Sequence, residues 1–375
     1  MSRVGVLVLV VLVVLAGCGG DDVRDRRAEP AAKRLARALQ AKLDTKREEY
    51  DVRGITASVV FPDGSRWSGA SGLADTDPRR PMRPDTPMPI ASVTKPLTAA
   101  LAVALAREGR LSLDDRLSRW VPRFPNARNI TLRQLLNHTS GLFNVDEDDA
   151  YAEAVTGHPS RAWTPAMVLR YVRKPYGPPG SVWHYSDTNY TLMGLVLQRA
   201  SGTSVAESLH RLVLDQHGMR DAALQPEEPA PPATARGYDA VGPQPPPPGR
   251  YVPFRSAASS EWTAAGVVAT APAVATWGRA LFAGRVVDRR GLREILRFVP
   301  TGDDSFYATY GLGVAQRHIV ERDVVGASGR FWGFSSELWH DPATRATVAV
   351  LWNDTVLLRS PDVADTLLEV VRLGR

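Results

Sequence analysis

Ser92 and Lys95 stand three residues apart in Ala91-Ser92-Val93-Thr94-Lys95-Pro96, and that spacing suggests a chemistry. One helical turn stacks residues i and i+3 on the same face, where a hydroxyl and an amine meet. A serine hydroxyl is a poor nucleophile until a base takes its proton. A lysine kept neutral by burial or by neighbouring cations is such a base. A serine in the first turn of a helix also lies beside backbone N–H groups that have no intrahelical partner. Two fixed residues in four arise by chance in many chains, and there the ordinary reading is a Ser N-cap before a solvated Lys. The rest of the chain decides between them.

Two further stretches carry residue types such a site would use. The first is Trp183-His184-Tyr185-Ser186-Asp187-Thr188-Asn189-Tyr190. A phenol at Tyr185 whose pKa is lowered by nearby cations can shuttle a proton between the serine and a leaving group, and Asp187 can hold a lysine in place. The second is Gly326-Ala327-Ser328-Gly329-Arg330, read as part of a Gly-rich edge strand. Such a backbone can approach a carbonyl and complete an oxyanion hole with the N–H of Ser92.

Competing chemistries are weaker. The seven histidines include no i, i+4 pair and no H-E-x-x-H, which argues against a zinc site. No serine sits in a G-x-S-x-G elbow with strand-turn-helix context. His138, in Asn137-His138-Thr139-Ser140-Gly141, is a candidate base by residue type alone. His184 reads equally as packing or as a modulator of Tyr185, and Phe331 and Trp332 as pocket wall or core.

The elements that position these residues follow from hydrophobic period. Leu97, Ala100, Leu101, Ala104 and Leu105 repeat at helical spacing after Lys95 and predict a buried helix, with Pro96 in or just past its first turn. Ala31 to Tyr50 reads as an amphipathic helix on Leu35, Leu39 and Leu43. Gly54 to Phe61 and Arg66 to Gly72 read as strands around the turn Pro62-Asp63-Gly64-Ser65. The approach to Ser92, with Pro78, Pro81, Pro84, Pro87 and Pro89, reads as an extended loop. From about 111 to 271 strand signals fade. Helical patterns at Leu132–Leu136, Pro165–Arg173, Tyr190–Ala200 and Val205–Leu214 take their place, and Pro245 to Pro248 reads as an exposed segment. Strands return at Tyr310–Ile319, Arg322–Ser328, Ser335–His340 and Ala346–Trp352. Ser360-Pro361-Asp362 starts a closing helix on Val363, Leu367, Leu368 and Val371. The expected fold is α+β: one antiparallel sheet of early and late strands between helices, with an inserted, mostly helical lobe.

Residues 1–18 read as a leader: Arg3, an apolar run from Val4 to Leu15, then Leu15-Ala16-Gly17-Cys18. The last four residues resemble a bacterial lipobox, in which the lone Cys18 carries lipid. Residues 19–30 form a tether, and 31–375 the folded domain. The expected location is the cell envelope, lipid-anchored on the outer face of the cytoplasmic membrane. The formal net charge of +6 includes Arg3. Lys and Arg are spread without a basic, aromatic-interleaved run, which gives no nucleic-acid site. With 44% hydrophobic residues the chain can bury a core and needs no disulfide.

The order S-x-x-K, then Tyr-Ser-Asp, then a Gly-rich late strand resembles the penicillin-recognising serine hydrolases. The closest likeness is to the branch of class C β-lactamases, D-alanyl-D-alanine carboxypeptidases and related esterases. It runs from roughly Leu43 to the end, through Ser92-Val93-Thr94-Lys95-Pro96, Leu135-Leu136-Asn137-His138-Thr139-Ser140-Gly141-Leu142, Tyr185-Ser186, Ala264-Ala265-Gly266-Val267 and Gly333-Phe334-Ser335-Ser336. The resemblance implies the β-lactamase/transpeptidase fold, with Ser92 as acylated nucleophile, Lys95 as its base partner and Tyr185 as proton shuttle. It implies an oxyanion hole from the N–H groups of Ser92 and Arg330, and substrate contacts from Asp187, Ala327, Ser328, Gly329 and Arg330. It implies a buried turn at Asn137 to Gly141, with His138 structural rather than a base, and no cofactor.

Two positions depart from that pattern. Asp187 stands where the family usually has Asn. An ionised Asp cannot donate to a substrate amide carbonyl, and beside Lys95 it holds a proton on the amine. Ala327 replaces the Lys or His that meets a substrate carboxylate. The expected activity is therefore that of a monomeric serine hydrolase acting on small esters or D-alanyl-D-alanine-type, peptidoglycan-derived peptides. The alternative is a low-turnover penicillin- or muropeptide-binding protein of the same fold.

Overall fold

The computed structural model describes residues 30–239, 255–302, 305–319, 322–355 and 363–374. The leader with Cys18, nearly all of the tether, the Pro245–Pro248 run and the Ser360-Pro361-Asp362 helix start lie outside the described residues.

A nine-stranded antiparallel sheet forms the centre. From edge to edge it runs Arg79–Pro81, Arg66–Thr76, Gly54–Val60, Ala346–Trp352, Phe334–Asp341, Arg322–Phe331, Ala315–Ile319, Thr309–Tyr310 and Val299–Pro300. The early and late strands meet where Gly54–Val60 pairs with Ala346–Trp352, in the register Ile55↔Trp352 through Val60↔Thr347. Both strands are buried along their whole length, because apolar side chains alternate to two covered faces. Ile55, Ala57, Val59, Val348 and Val350 pack with Leu39 and Leu43 of helix Ala31–Glu49 and with Val363, Leu367, Leu368 and Val371 of helix Val363–Leu373. On the other face, Ala349, Leu351 and Leu338 join the larger core that contains the Ser92 helix.

Between the two halves of the sheet come mainly helices, including Leu132–Leu136, Asp149–Gly157, Asp187–Ser201, Val205–Leu209 and Arg255–Ala265. A three-stranded sheet ties this region to the Ser92 segment: Val267–Ala269 lies between Met88–Pro89 and Ala223–Leu224.

Two sequence expectations need correction. The proline-rich approach is not all loop, since Arg79–Pro81 and Met88–Pro89 are short strands. Both are edge strands, where a residue without an N–H costs least. The strand carrying Ala327 to Arg330 is interior rather than an edge. Its pairing with Ala315–Ile319, however, stops at Gly326, so that side is open from Ala327 onward. The Ser92 helix is buried as its period predicts, with Ala99, Ala102 and Val103 covered besides most of the expected stripe.

Candidate active site

The nucleophile segment begins as a 3-10 turn, Ala91–Val93, and continues as helix Thr94–Arg107. Ala91 is held at φ +48, and Ser336 Oγ donates to the carbonyl of the preceding Ile90 (2.6 Å). The turn is thereby fastened to strand Phe334–Asp341. Lys95 is wholly buried. Its Nζ donates to Ser92 Oγ (3.0 Å) and to the carbonyl of Ala264 (3.1 Å), and it forms a very short ion pair with Asp187. The rings of Tyr185 and Tyr190 lie 4.8 and 5.2 Å from the same nitrogen.

The carbonyl of Ala264 reaches Lys95 because helix Arg255–Ala265 breaks at Trp262 (φ 36, ψ −116). Past the break the carbonyls of Thr263 and Ala264 leave the helical ladder and accept from Thr98 Oγ1 (2.8 Å) and Lys95 Nζ. The indole of Trp262 is anchored on Glu227 (2.8 Å).

Tyr185 donates its hydroxyl to Ser92 Oγ at 2.9 Å. It precedes helix Asp187–Ser201, whose Ser186 N-cap makes no side-chain cap. The first N–H groups are taken instead by His138, from the turn the sequence had marked, and by Asn144 beyond it. The N–H of Ser186 donates to His138 Nδ1 (3.1 Å) and that of Asp187 to Asn144 Oδ1 (2.9 Å). Asn189 Nδ2 also meets His138 Nδ1 (3.2 Å), so this nitrogen acts as an acceptor. Burial, then the nearby Lys95, pushes His138 well below the usual histidine range. A neutral imidazole packed at a tilt with its centroid 4.3 Å from that of the Tyr185 ring is a support for that phenol and not a base. His184 turns to Glu147 (3.1 Å) and stacks on Tyr176.

The expected lowering of the Tyr185 pKa is overturned. Burial comes first and the Asp187 charge second, and together they hold the phenol well above its ordinary range. One cation cannot offset both effects, and the second cation a phenolate would need is missing at Ala327. Tyr185 is therefore a neutral donor.

The late strand meets the nucleophile at Gly329. A Cβ there would come within 2.5 Å of the Ser92 nitrogen and 2.7 Å of Ser336 Oγ, so only glycine permits this approach. Ser328 Oγ shares a hydrogen bond with the Tyr307 hydroxyl (2.8 Å). Ala327 is buried opposite Leu338, and Arg330 is exposed. Phe331 belongs to the core, and Trp332 packs against it.

The family model described as Beta-lactamase matches residues 35–372. The chain belongs to the beta-lactamase family. Esterase EstB of Burkholderia gladioli is 34% identical over 213 residues, covering 53% of this chain and 54% of that protein. A D-aminopeptidase of Brucella anthropi is 27% identical over 322 residues, covering 84% of this chain and 59% of that protein. The chain thus spans little more than half the length of these curated relatives. Among solved structures, the D-amino acid amidase of Ochrobactrum anthropi SV3 complexed with D-phenylalanine is 26% identical with a TM-score of 0.78. The alignment covers 91% of this chain and all of that one. The α+β fold expected from the sequence is the fold of these beta-lactamase relatives.

Reading the sequence missed two acids of this beta-lactamase site. Asp146, on the 3-10 turn Val145–Glu147, and Glu261 offer carboxylate oxygens that lie, with one from Asp187, all within 4.8 Å of one another. The positive charge they face is the Lys95 ammonium. Asp146 hid in the acidic run Asp146 to Asp149, which reads as a solvated face. Glu261 did carry a signal, as the only charged residue between Arg255 and Arg279.

Proposed function

We propose that this chain is a serine hydrolase that forms a covalent acyl-enzyme on Ser92, with small esters and D-amino-acid-type amides as its substrates. The observation that carries the reading is the position of Ser92 Oγ, 3.0 Å from Lys95 Nζ and 2.9 Å from the Tyr185 hydroxyl. In this reading Lys95, relieved of its proton to Asp187 or solvent, takes the proton of Ser92 as Oγ bonds to the substrate carbonyl carbon. Tyr185 passes a proton to the leaving group. Water then releases the acyl group by the reverse proton path. The N–H of Ser92, with the strand backbone brought against it at Gly329, supports a role in holding the developing oxyanion. Arg330 supplies the second N–H.

The buried methyl of Ala327 favours substrates without a carboxylate beside the scissile bond. The names of the relatives, an esterase, a D-aminopeptidase and a D-amino acid amidase, support the same substrate range. A second reading, a low-turnover penicillin- or muropeptide-binding protein, draws on the Lys95–Asp187 ion pair, which engages the base partner of Ser92. The test is a panel of p-nitrophenyl acetate, D-phenylalanine amide and benzylpenicillin, run on wild type and Ser92→Ala. Turnover should be highest on the ester, lowest on the penicillin, and absent in the variant. A stable adduct with the penicillin and no turnover of the other two would favour the second reading.

Lipidation of Cys18 and location outside the cytoplasmic membrane belong to the same proposal, supported by the leader and lipobox in the sequence. Among the described residues no helix is long and apolar enough to cross a membrane. Cys18→Ser should release the protein from the membrane fraction, and an unchanged fractionation would count against the anchor.

A further inference from the structure

Lys95 is a wholly buried amine beside three carboxyl groups, of which Asp187 and Glu261 are buried, and one cation cannot balance two anions away from water. One of the two buried acids must be neutral in the resting protein, so the question is which acid stays ionised. Asp187 is in direct contact with Lys95, and its backbone N–H is fixed by Asn144. Asp146, as an acid, can donate to Asp187. Glu261 is more than nine-tenths buried and close to both.

The elements packed around Glu261 supply Lys95 from helix Thr94–Arg107, Asp187 from helix Asp187–Ser201, Asp146 from the 3-10 turn and Tyr151 from helix Asp149–Gly157. The Ala91–Val93 turn brings no ionisable side chain. Tyr151 is held as a neutral phenol by burial and by the Glu261 charge, so Lys95 is the only positive group in this set. Burial first, then the Asp187 charge, pushes Glu261 up to about 8, against the pull of Lys95. Asp146 moves well above the usual carboxylate range. As a residue Asp146 is exposed, yet the causes at its carboxyl are burial of the group first, then Glu261 and Asp187 beside it.

We infer that Glu261 is a positioning residue for acylation: as a neutral acid it leaves Asp187 the sole anion against Lys95, and on ionising it fixes the lysine proton and withdraws the base from Ser92. The inference rests on the hydrolase reading above. Acylation needs a free amine on Lys95 to accept the Ser92 proton, and a second buried anion makes that amine costlier to form. Raising the pH therefore acts in two opposing ways. It favours the free amine that acylation needs, and by ionising Glu261 it adds an anion that holds the proton on that amine.

The test is the rate of Ser92 acylation by p-nitrophenyl acetate from pH 6 to 10, in the full chain, with Ser92→Ala as blank. In wild type the rise with pH should flatten near pH 8. In Glu261→Gln it should continue, and the ratio of variant to wild-type rate should grow about tenfold across the range. Glu261→Leu should behave in the same way, and it serves if the Gln variant fails to fold. An uninterrupted rise in wild type overturns the inference even without a folded variant. So does a variant-to-wild-type ratio that stays constant with pH. A wild type never acylated on Ser92 at any pH refutes the hydrolase reading instead, which separates the two failures.

Discussion

The Tyr185 hydroxyl donates to Ser92 Oγ across 2.9 Å while its own proton is held tightly by burial and by Asp187. The phenol can thus hand a proton toward the serine and the leaving group, but it does not serve as a standing phenolate base. Tyr185→Phe should lower kcat by about 10²-fold or more, the usual range for one acid–base group. The ester should suffer less than the amide, because its leaving group needs less protonation. Steady-state rates on both substrates check this. Equal losses on the two would mean that the ring acts only by packing against His138.

Ala327 is buried where the family resemblance places a cation. A charge-assisted hydrogen bond to a substrate carboxylate is worth about 1.5–3 kcal/mol. Ala327→His should therefore raise kcat/KM for penicillins and D-alanyl-D-alanine peptides by about tenfold or more, leaving p-nitrophenyl acetate nearly unchanged. Overpacking at this site should cost about 1–3 kcal/mol of stability, read from urea melts. Equal gains on charged and neutral substrates would assign the effect to general packing.

Two buried histidines make stability depend on pH. His138 is pushed well below its ordinary value, and His340, which meets Thr347 Oγ1 at 2.9 Å, is pushed down to about 4. Each is depressed on folding, so the unfolded chain binds the extra proton first. Their stabilisation is complete above about 6.5 and is lost as pH falls, for His340 down to about 4. Glu261, raised on folding, works in the opposite sense, gaining stability as pH falls from about 8 toward 4.5. A variant isolates one contribution from this sum. His340→Gln should change the slope of unfolding free energy between pH 6 and 5 by about 1.4 kcal/mol per pH unit, one proton's worth. An unchanged slope would mean that His340 is not held neutral.

Local pattern made much of this molecule legible. The Ser92–Lys95 spacing, the helical run behind it and the alternating strands Gly54–Val60 and Ala346–Trp352 are all written in adjacent residues, and they appear in the structure where the period places them. Tyr185 and Asp187 also lie where their chemistry required, against Ser92 and Lys95. The convergence of Asp146 and Glu261 on Asp187 was not legible, because it joins three distant elements and no spacing encodes it. The sign of the Tyr185 shift failed for a related reason. A sequence shows which charges exist but not how completely a phenol is removed from water. The late strand misled because it is interior over Arg322 to Gly326 and open beyond, a difference set by the length of its neighbour.

The account stands or falls on Ser92 as the acylated residue. Brief incubation with p-nitrophenyl acetate, acid quench, intact-mass measurement and peptide mapping test it directly. One acetyl mass should appear on the peptide carrying Ser92, decay as the ester is consumed, and be absent from Ser92→Ala with its fold intact by circular dichroism. An adduct that persists in Ser92→Ala, or that maps to another residue while turnover continues, would contradict the account.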